Sequence, residues 1–273
     1  MEAGISRTAF GVAMMRALHR IVDREPWVLD DPVSFELFGG LARARLAIEP
    51  NWLQDPRSTA LRGHVLLRSA FAEQRMRDAV ARGVRQCVAL GAGFDTFAYR
   101  QPAWMEGVRF FEVDAPATQA EKRRQLARGG FADPSNLTFV PIDFETTTLA
   151  DGLLAAGFDV ASPAFFSVLG VLVYLSNEAV DAIFSFVGSL PKGSEVAFTF
   201  TQPDGDEALA GRVAALGEPM RSHFDLASLE AKLRAAGFGE ILIVGNAEAD
   251  ALLGRRHDGL LAPSRASIAA AIV

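Results

Sequence analysis

A glycine turn between residues 90 and 96 is the most informative chemical feature of the sequence. The stretch VALGAGFDT (88–96) runs from an apolar strand through Gly91, Ala92 and Gly93 into a helical pattern. Glycines let the backbone approach a ligand closely, and a helix that begins there offers free N–H groups. A dinucleotide fingerprint would carry a third glycine where this chain has Thr96. The turn therefore indicates a nucleotide-like ligand and disfavours a dinucleotide, although a purely structural turn would have the same pattern.

An acid ends the strand that follows this turn. Asp114 closes VRFFEVD (108–114), about 20 residues after the glycines, where a carboxylate can accept hydrogen bonds from the two hydroxyls of a ribose. Glu112 points to the same face and is the competing candidate. Asp114 also precedes Ala115 and Pro116, so a role at the start of a helix is an alternative.

A second acid follows the next predicted strand. VPIDF (140–144) places Asp143 and Phe144 in tandem past the strand end. A carboxylate can accept from the exocyclic amine of an adenine, and an aromatic ring can meet the base. Acids and glycines at three successive strand ends favour one shared ligand site.

The elements that position these residues alternate between strand and helix after residue 83. Apolar runs predict strands at 86–90, 108–113, 137–142, 164–169, 195–201, 240–244 and 267–273, with helices at 116–128, 177–189 and 226–236. This alternation predicts an α/β Rossmann-like sandwich with a mainly parallel seven-stranded sheet and a final antiparallel strand. Residues 1–82 contain helical patterns at 8–24 and 59–82. We expect them to form a cap or substrate lid on a ligand-binding domain at 83–273, which carries a lid insertion at about 202–224.

Composition excludes several classes of protein. The chain has 273 residues and a formal net charge of -6, which argues against a nucleic-acid partner. The basic runs at 82–85 and 122–128 are interpreted as solvated helix faces. The single Cys87 lies in an apolar run and predicts a buried strand thiol. The N-terminus lacks the pattern of a signal peptide, and no apolar stretch is long enough for a transmembrane helix, so a cytoplasmic location is expected.

Seven short motifs together resemble the leucine carboxyl methyltransferase family, and more closely its bacterial branch of S-adenosylmethionine-dependent O-methyltransferases of the polyketide-biosynthesis type. They are SRTA (6–9), GVRQ (83–86), LGAGFDT (90–96), AYR (98–100), FEVDAPATQ (111–119), VPIDF (140–144) and GVLVYL (170–175). They span most of the chain. The resemblance implies a class I methyltransferase fold and S-adenosylmethionine as cofactor, with S-adenosylhomocysteine as product.

The resemblance also implies roles for individual residues. The glycine turn would line the methionine part of the cofactor, and an arginine before the first strand would bind its carboxylate; Arg62 is the best match for that arginine. Asp114 would hold the ribose, and Asp143 with Phe144 the adenine. The implied cofactor-binding residues are Arg62, Gly91, Ala92, Gly93, Asp114, Asp143, Phe144 and Leu169.

Two positions depart from the family pattern. Leucine carboxyl methyltransferases carry an acid just past the fourth strand, where this chain has Leu169, and many relatives have arginine at the position of Phe97. One cofactor contact is therefore missing or replaced. Both changes weaken the case for a protein C-terminus as substrate.

Methyl transfer to oxygen needs an aligned acceptor and, for a hydroxyl, a base. His64, His223 and Tyr174 are the candidate catalytic residues, and each has an ordinary structural role as its alternative. The four histidines are scattered, so no metal site is predicted. Apolar residues of the N-terminal helices and of segment 202–224 predict a largely apolar, polyketide-like or carboxylic small-molecule acceptor; they are Phe10, Met14, Met15, Leu209, Leu216, Met220 and Phe224.

Two other functions remain open at this point. An NAD(P)-dependent oxidoreductase shares the strand, glycine loop and distal acid. A catalytically inactive methyltransferase-fold binding protein would also keep the fold, since fold alone does not fix function. The sequence predicts no nucleic-acid or membrane partner and leaves a homodimer open.

Overall fold

The computed structural model describes residues 4–51, 55–142, 147–203, 207–253, 260 and 267–273. Within these residues the chain forms one seven-stranded sheet flanked by nine α-helices. The described helices include none long and apolar enough to cross a membrane.

The sheet has the strand order β3-β2-β1-β4-β5-β7-β6. Its strands are β1 (Gln86–Leu90), β2 (Arg109–Asp114), β3 (Leu137–Pro141), β4 (Phe165–Val168), β5 (Glu195–Thr199), β6 (Glu240–Ile243) and β7 (Ile268–Ile272). The first five pair in parallel, whereas β7 pairs antiparallel with both β5 and β6. The predicted sandwich with a final antiparallel strand is therefore confirmed.

Three helices precede the sheet and six follow its strands. They are α1 (Arg7–Val22), α2 (Pro32–Ile48), α3 (Pro56–Ala81), α4 (Pro116–Arg128), α5 (Leu149–Ala155), α6 (Asn177–Gly188), α7 (Glu207–Ala215), α8 (Leu226–Ala235) and α9 (Asn246–Leu253). Side-chain caps begin several of them: Ser6 for α1, Asp31 for α2 and Asp225 for α8 accept from backbone N–H groups.

The core lies on both faces of the sheet. One cluster joins Val88, Phe111 and Phe166 to helices α5, α6 and α8. The other joins Cys87 and Phe110 to α3. Cys87 is fully buried, as predicted, and burial raises the pKa of its thiol well above the usual range.

A third cluster attaches α1 and α2 to the rest of the molecule. Phe10 of α1 and Phe38 of α2 pack edge to face with Phe94, which belongs to the glycine turn. These aromatic contacts hold the first helix directly over the turn.

The basic run on α4 differs from the prediction at one residue. Lys122 is buried and donates to Glu112 at 2.6 Å, instead of lying on a solvated face. The ammonium group of Lys122 is buried because the buried carboxylate of Glu112 needs a counter-charge.

Candidate active site

A cavity of about 400 Å³ opens at the carboxyl ends of β1, β2 and β4. The strand order reverses direction between β1 and β4, which is where α/β sheets bind their ligands. Its walls come from α1, α3, the glycine turn, the loop after β4 and a single residue of the segment before α8, Glu218.

The glycine turn is shaped by close approach of its neighbours. Gly91 and Gly93 have φ values of 64° and 51°, in the left-handed region. A Cβ atom at Gly91 would lie 2.2 Å from Cγ2 of Val171, and one at Gly93 would lie 2.9 Å from Cβ of Ala9. The glycines therefore let the loop after β4 and helix α1 close around the cavity, with Ala92 between them on its wall.

Asp114 lies on the cavity wall at the end of β2, as predicted. Its carboxylate accepts from the backbone N–H groups of Gly93 and, at 2.7 Å, Ala115. Burial raises the pKa of Asp114 above its ordinary value, against the two hydrogen bonds and Lys122. These bonds occupy one lone pair on each oxygen and leave the others free to accept from a ligand.

The two alternatives for this position are not supported by the geometry. Glu112 is buried against Lys122 and does not reach the cavity. The residue that begins α4 is Ala115, which makes no side-chain cap bond, so Asp114 is not the cap of that helix.

Arg62 is not at the cavity, and its predicted role was wrong. Its Nε and Nη2 donate to the two carboxylate oxygens of Asp23 at 3.0 and 2.9 Å, and the side chain is 3% exposed. Asp23 also pairs with His19 at 2.8 Å. Two of its nitrogens are held by this buried pair, and its remaining Nη1 is buried away from the cavity, so Arg62 is not placed to bind a ligand carboxylate there.

A different arginine of α3, Arg68, lies at the cavity. It lines the cavity from α3, and no carboxylate among the described residues lies within ion-pair distance of it. Its guanidinium passes directly over Gly170, where a Cβ atom would be 2.8 Å from Nη1. Burial and the charge of Arg16 lower the pKa of Arg68 to about 10, against Tyr174 and Asp95.

A buried ionic network, which the sequence analysis did not predict, lies beside Arg68 at the cavity. Arg16 of α1 lies 2.9 Å from Asp31 and donates to Asp95 at 2.5 Å, and its Nη2 atom has no hydrogen-bond partner. Despite burial, the guanidinium groups of Arg16 and Arg100 hold the pKa of Asp95 well below its usual range. The network ties α1 and the start of α2 to the glycine turn.

Thr96 belongs to the same network. Its hydroxyl donates to Asp31 at 2.7 Å. The threonine that replaces the third glycine of a dinucleotide fingerprint therefore bonds to the cap of α2, which a glycine could not do.

Of the three candidate catalytic residues, the cavity contains Tyr174. Burial raises the pKa of its phenol, against the neighbouring Thr8. His64 does not line the cavity; burial and Arg68 lower its pKa to about 3, and it faces Ser267 at 3.4 Å. His223 is exposed and also does not line it, so neither histidine can act on a ligand bound there.

Leu169 lines the cavity, as predicted. Asp143 and Phe144 lie outside the described residues, so their contact with an adenine stays a prediction.

The apolar residues predicted for the acceptor pocket mostly lie elsewhere. Phe10 and Met14 pack into the aromatic cluster with Phe94, Phe224 is in the core, and Leu216 is 41% exposed. The apolar cavity wall comes instead from the opposite face of α1 and from the loop after β4; its residues include Ala9, Val12, Ala13, Val171 and Leu175.

Comparison with known proteins agrees with this geometry. The family model for leucine carboxyl methyltransferase matches residues 9–188, more than half of the chain. YktD of Bacillus subtilis is 35% identical over 182 residues, which cover 63% of this chain and 60% of that protein. SCO7813 of Streptomyces coelicolor is 33% identical over 220 residues, covering 80% of this chain and 75% of its own length. The names of both describe candidate S-adenosyl-L-methionine-dependent methyltransferases.

Solved structures share the fold. The crystal structure of a candidate methyltransferase from Thermobifida fusca superposes with a TM-score of 0.56 at 16% identity, covering 96% of this chain and 93% of that one. A family match over more than half of the chain, with relatives above 30% identity, is decisive. The chain belongs to the leucine carboxyl methyltransferase family, a family of S-adenosylmethionine-dependent methyltransferases.

Proposed function

We propose that this protein transfers the methyl group of S-adenosylmethionine to an oxygen atom of a small, largely apolar acceptor. One observation carries the proposal: Arg68, Asp114 and the glycine turn share a single cavity, and Arg68 has no carboxylate partner among the described residues.

The cavity fits the polar parts of this cofactor. Arg68 would bind the methionine carboxylate, because a guanidinium offers paired donors in the geometry that a carboxylate accepts. Asp114 has lone pairs left for the two ribose hydroxyls. We assign the adenine to Asp143 and Phe144, as the sequence predicts.

The cofactor, when bound, supplies a methyl group on a sulfonium and needs no further activation. The contribution of the chain is to hold the acceptor oxygen in line with that methyl and to keep water out. The apolar wall formed by Val12, Ala13 and Val171 supports an acceptor whose surface is mostly apolar.

The described cavity residues favour a carboxylate as the acceptor oxygen. Burial keeps Tyr174 protonated at neutral pH, so its hydroxyl can donate to an acceptor oxygen but cannot remove a proton. The other carboxylates on the wall are engaged by donors of the protein. Asp95 accepts from Arg16 and Glu73 from Arg100, while Glu218 accepts from the first turn of α1. A phenol with a pKa near 10 would need a base that these residues do not offer, whereas a carboxylate is already ionised.

We further propose that the N-terminal helices act as the cap of residues 1–82 on the domain of residues 83–273. Helix α1 supports this role because it lines the cavity while packing on Phe94 of the glycine turn. The segment at about 202–224 would complete the cap through Glu218.

Calorimetric titration with S-adenosylmethionine, S-adenosylhomocysteine and NAD tests the cofactor. We expect the two sulfur ligands to bind and NAD not to bind, and we expect Arg68→Met to weaken binding while Arg77→Met, an exposed arginine on the same helix, does not. Binding of NAD alone would reject the proposal in favour of an oxidoreductase. Apolar carboxylic acids and their alcohol analogues should then be compared as acceptors; methylation confined to the alcohols would contradict the preference for a carboxylate.

A further inference from the structure

A short strap, residues 216–222 between α7 and α8, reaches across to the first turn of α1. The carboxylate of Glu218 accepts from Ser6 Oγ at 3.1 Å, from the backbone N–H of Arg7 at 2.8 Å and from that of Thr8 at 3.3 Å. The Thr8 hydroxyl donates to the same carboxylate. One side chain thus collects four hydrogen bonds from a helix start more than two hundred residues away in sequence.

This contact is electrostatically well matched. The first N–H groups of a helix have no partner within the helix, and the helix dipole favours a negative charge there. Helix α1 has no acidic residue in its own first turn, so Glu218 supplies that charge from outside.

The other end of the strap is fixed independently. The N–H groups of Arg221 and Ser222 donate to the carbonyl of Val173 at 2.7 and 3.3 Å, and Ser222 Oγ donates to Leu172 at 2.7 Å. The strap is therefore anchored to the loop after β4 at one end and to α1, through Glu218, at the other.

Apart from the Glu218 side chain, the hydrogen bonds of this end run back to α7. The N–H groups of Leu216 and Glu218 donate to the carbonyl of Val213, both at 3.1 Å, and that of Gly217 donates to the carbonyl of Ala214 at 2.9 Å. Leu216 is 41% exposed, and Gly217 has a φ of 87° with no atom near the place a Cβ would take. Segments with few apolar contacts open at low free-energy cost. Among the described residues, the hydrogen bonds of the Glu218 carboxylate are thus the ones that join this end of the strap to α1.

The contact also lies on the cavity wall. Ser6, Thr8, Tyr174 and Glu218 all line the cavity. Separation of Glu218 from α1 would remove one side of this wall.

We propose that Glu218 is the latch of a strap that opens to admit ligands to the cavity and closes behind them. The proposal rests on the proposed function only in its choice of S-adenosylhomocysteine as the probe. A latch of this kind slows entry and exit alike, whereas an ordinary wall contact stabilises the bound state and slows exit alone.

Two measurements on the full chain test the latch. Hydrogen exchange of the free protein reports on the amides of residues 7–10, and stopped-flow binding of S-adenosylhomocysteine gives its association and dissociation rates. The variants are Glu218→Ala, Glu218→Gln and Thr8→Val, which removes one of the four donors but keeps the backbone bonds. Glu178→Gln is the matched control, because Glu178 is exposed in the first turn of α6, away from the cavity.

In Glu218→Ala we expect exchange at residues 7–10 to rise about tenfold or more, as loss of several charge-assisted hydrogen bonds implies. Both binding rates should rise by similar factors, with a smaller change in Kd. Glu218→Gln and Thr8→Val should give intermediate effects, and Glu178→Gln none.

Unchanged exchange in Glu218→Ala would refute the latch, and so would faster dissociation with unchanged association. If the wild-type chain binds no S-adenosylhomocysteine, the proposed function fails, while the exchange measurement still decides whether Glu218 holds the strap.

Discussion

Replacement of Arg68 by methionine should stabilise the free protein and weaken its binding of cofactor. Burial and Arg16 lower the pKa of Arg68 from 12.5 to about 10. At about 1.4 kcal/mol for each pKa unit, the charge of this side chain costs the fold up to about 3 kcal/mol. The side chain keeps some contact with water, which reduces the expected gain for Arg68→Met to about 1–2 kcal/mol, or a rise in Tm of about 2–4 °C.

The same substitution should weaken S-adenosylhomocysteine binding about a hundredfold, since loss of one partner of a buried charge pair costs about 2–5 kcal/mol. At a ligand concentration of about one hundred times the wild-type Kd, the wild type gains about 2.7 kcal/mol, and the variant about 0.4 kcal/mol. Without ligand, chemical denaturation should therefore give the variant a higher free energy of unfolding than the wild type. With ligand, this difference in free energy should be lost or reversed.

Arg62→Met is the control, because Arg62 lies on the same helix and holds the buried carboxylate of Asp23. It should lower the free energy of unfolding by about 3–5 kcal/mol and leave the ligand-induced gain unchanged. Destabilisation by Arg68→Met would show that its guanidinium has a stabilising partner. An unchanged ligand-induced gain in Arg68→Met, together with its loss in Arg62→Met, would return the carboxylate site to Arg62.

Three further outcomes follow from the same contacts. Asp114→Ala should weaken S-adenosylhomocysteine binding by about 1–3 kcal/mol in calorimetry, whereas Glu112→Gln should leave it unchanged. Because the pKa of Asp114 is raised, the affinity of the wild type should fall as the pH drops, and this fall should begin at a higher pH than for an ordinary aspartate. Glu195→Ala removes a fully buried carboxylate that accepts from Arg75 of α3 and from Arg82, which caps the end of that helix, and should lower the free energy of unfolding by about 2–4 kcal/mol in denaturant titration. Gly91→Ala should destabilise by at least about 1 kcal/mol more than Gly107→Ala, since both have positive φ but the added methyl at Gly91 meets Val171; equal losses would show that Val171 moves aside freely.

The sequence predicted the sheet well because each parallel strand is an uninterrupted apolar run between helical patterns. All seven strands were placed within two residues of their ends, including β7, whose antiparallel pairing was expected. Helix α2 was not predicted, because Pro32 and two adjacent glycines, Gly39 and Gly40, interrupt its pattern. Asp31 is the cap of that helix.

The sequence predicted those residues of the candidate site that a local sequence pattern marks. Gly91, Gly93 and Asp114 are marked by their positions at strand ends, and they lie on the cavity wall. Arg62 and Arg68 lie on one long helix, and which of the two reaches the cavity depends on which face of that helix packs against the sheet. Arg68 lies four residues before Ala72, which lines the same cavity, but only the packed structure shows that this face of the helix meets the cavity.

The ionic network had no local signal. Arg16, Asp31 and Asp95 come from three separate segments and meet only after α1 and α2 pack on the glycine turn. Ion pairs between distant segments depend on tertiary geometry, so a single sequence carries no pattern that predicts them.

The absence of an acid at Leu169 and the lack of a carboxylate partner for Arg68 are connected. Both side chains line the cavity, and Leu169 immediately precedes Gly170, over which the Arg68 guanidinium passes. An acid at this position, as in the leucine carboxyl methyltransferases that define the family pattern, would place a carboxylate beside that guanidinium and compete for it. With leucine there, Arg68 has no carboxylate partner among the described residues, so its positive charge would be available to the carboxylate of the proposed cofactor. Its burial without a counter-ion is then a cost in stability that such a ligand would remove.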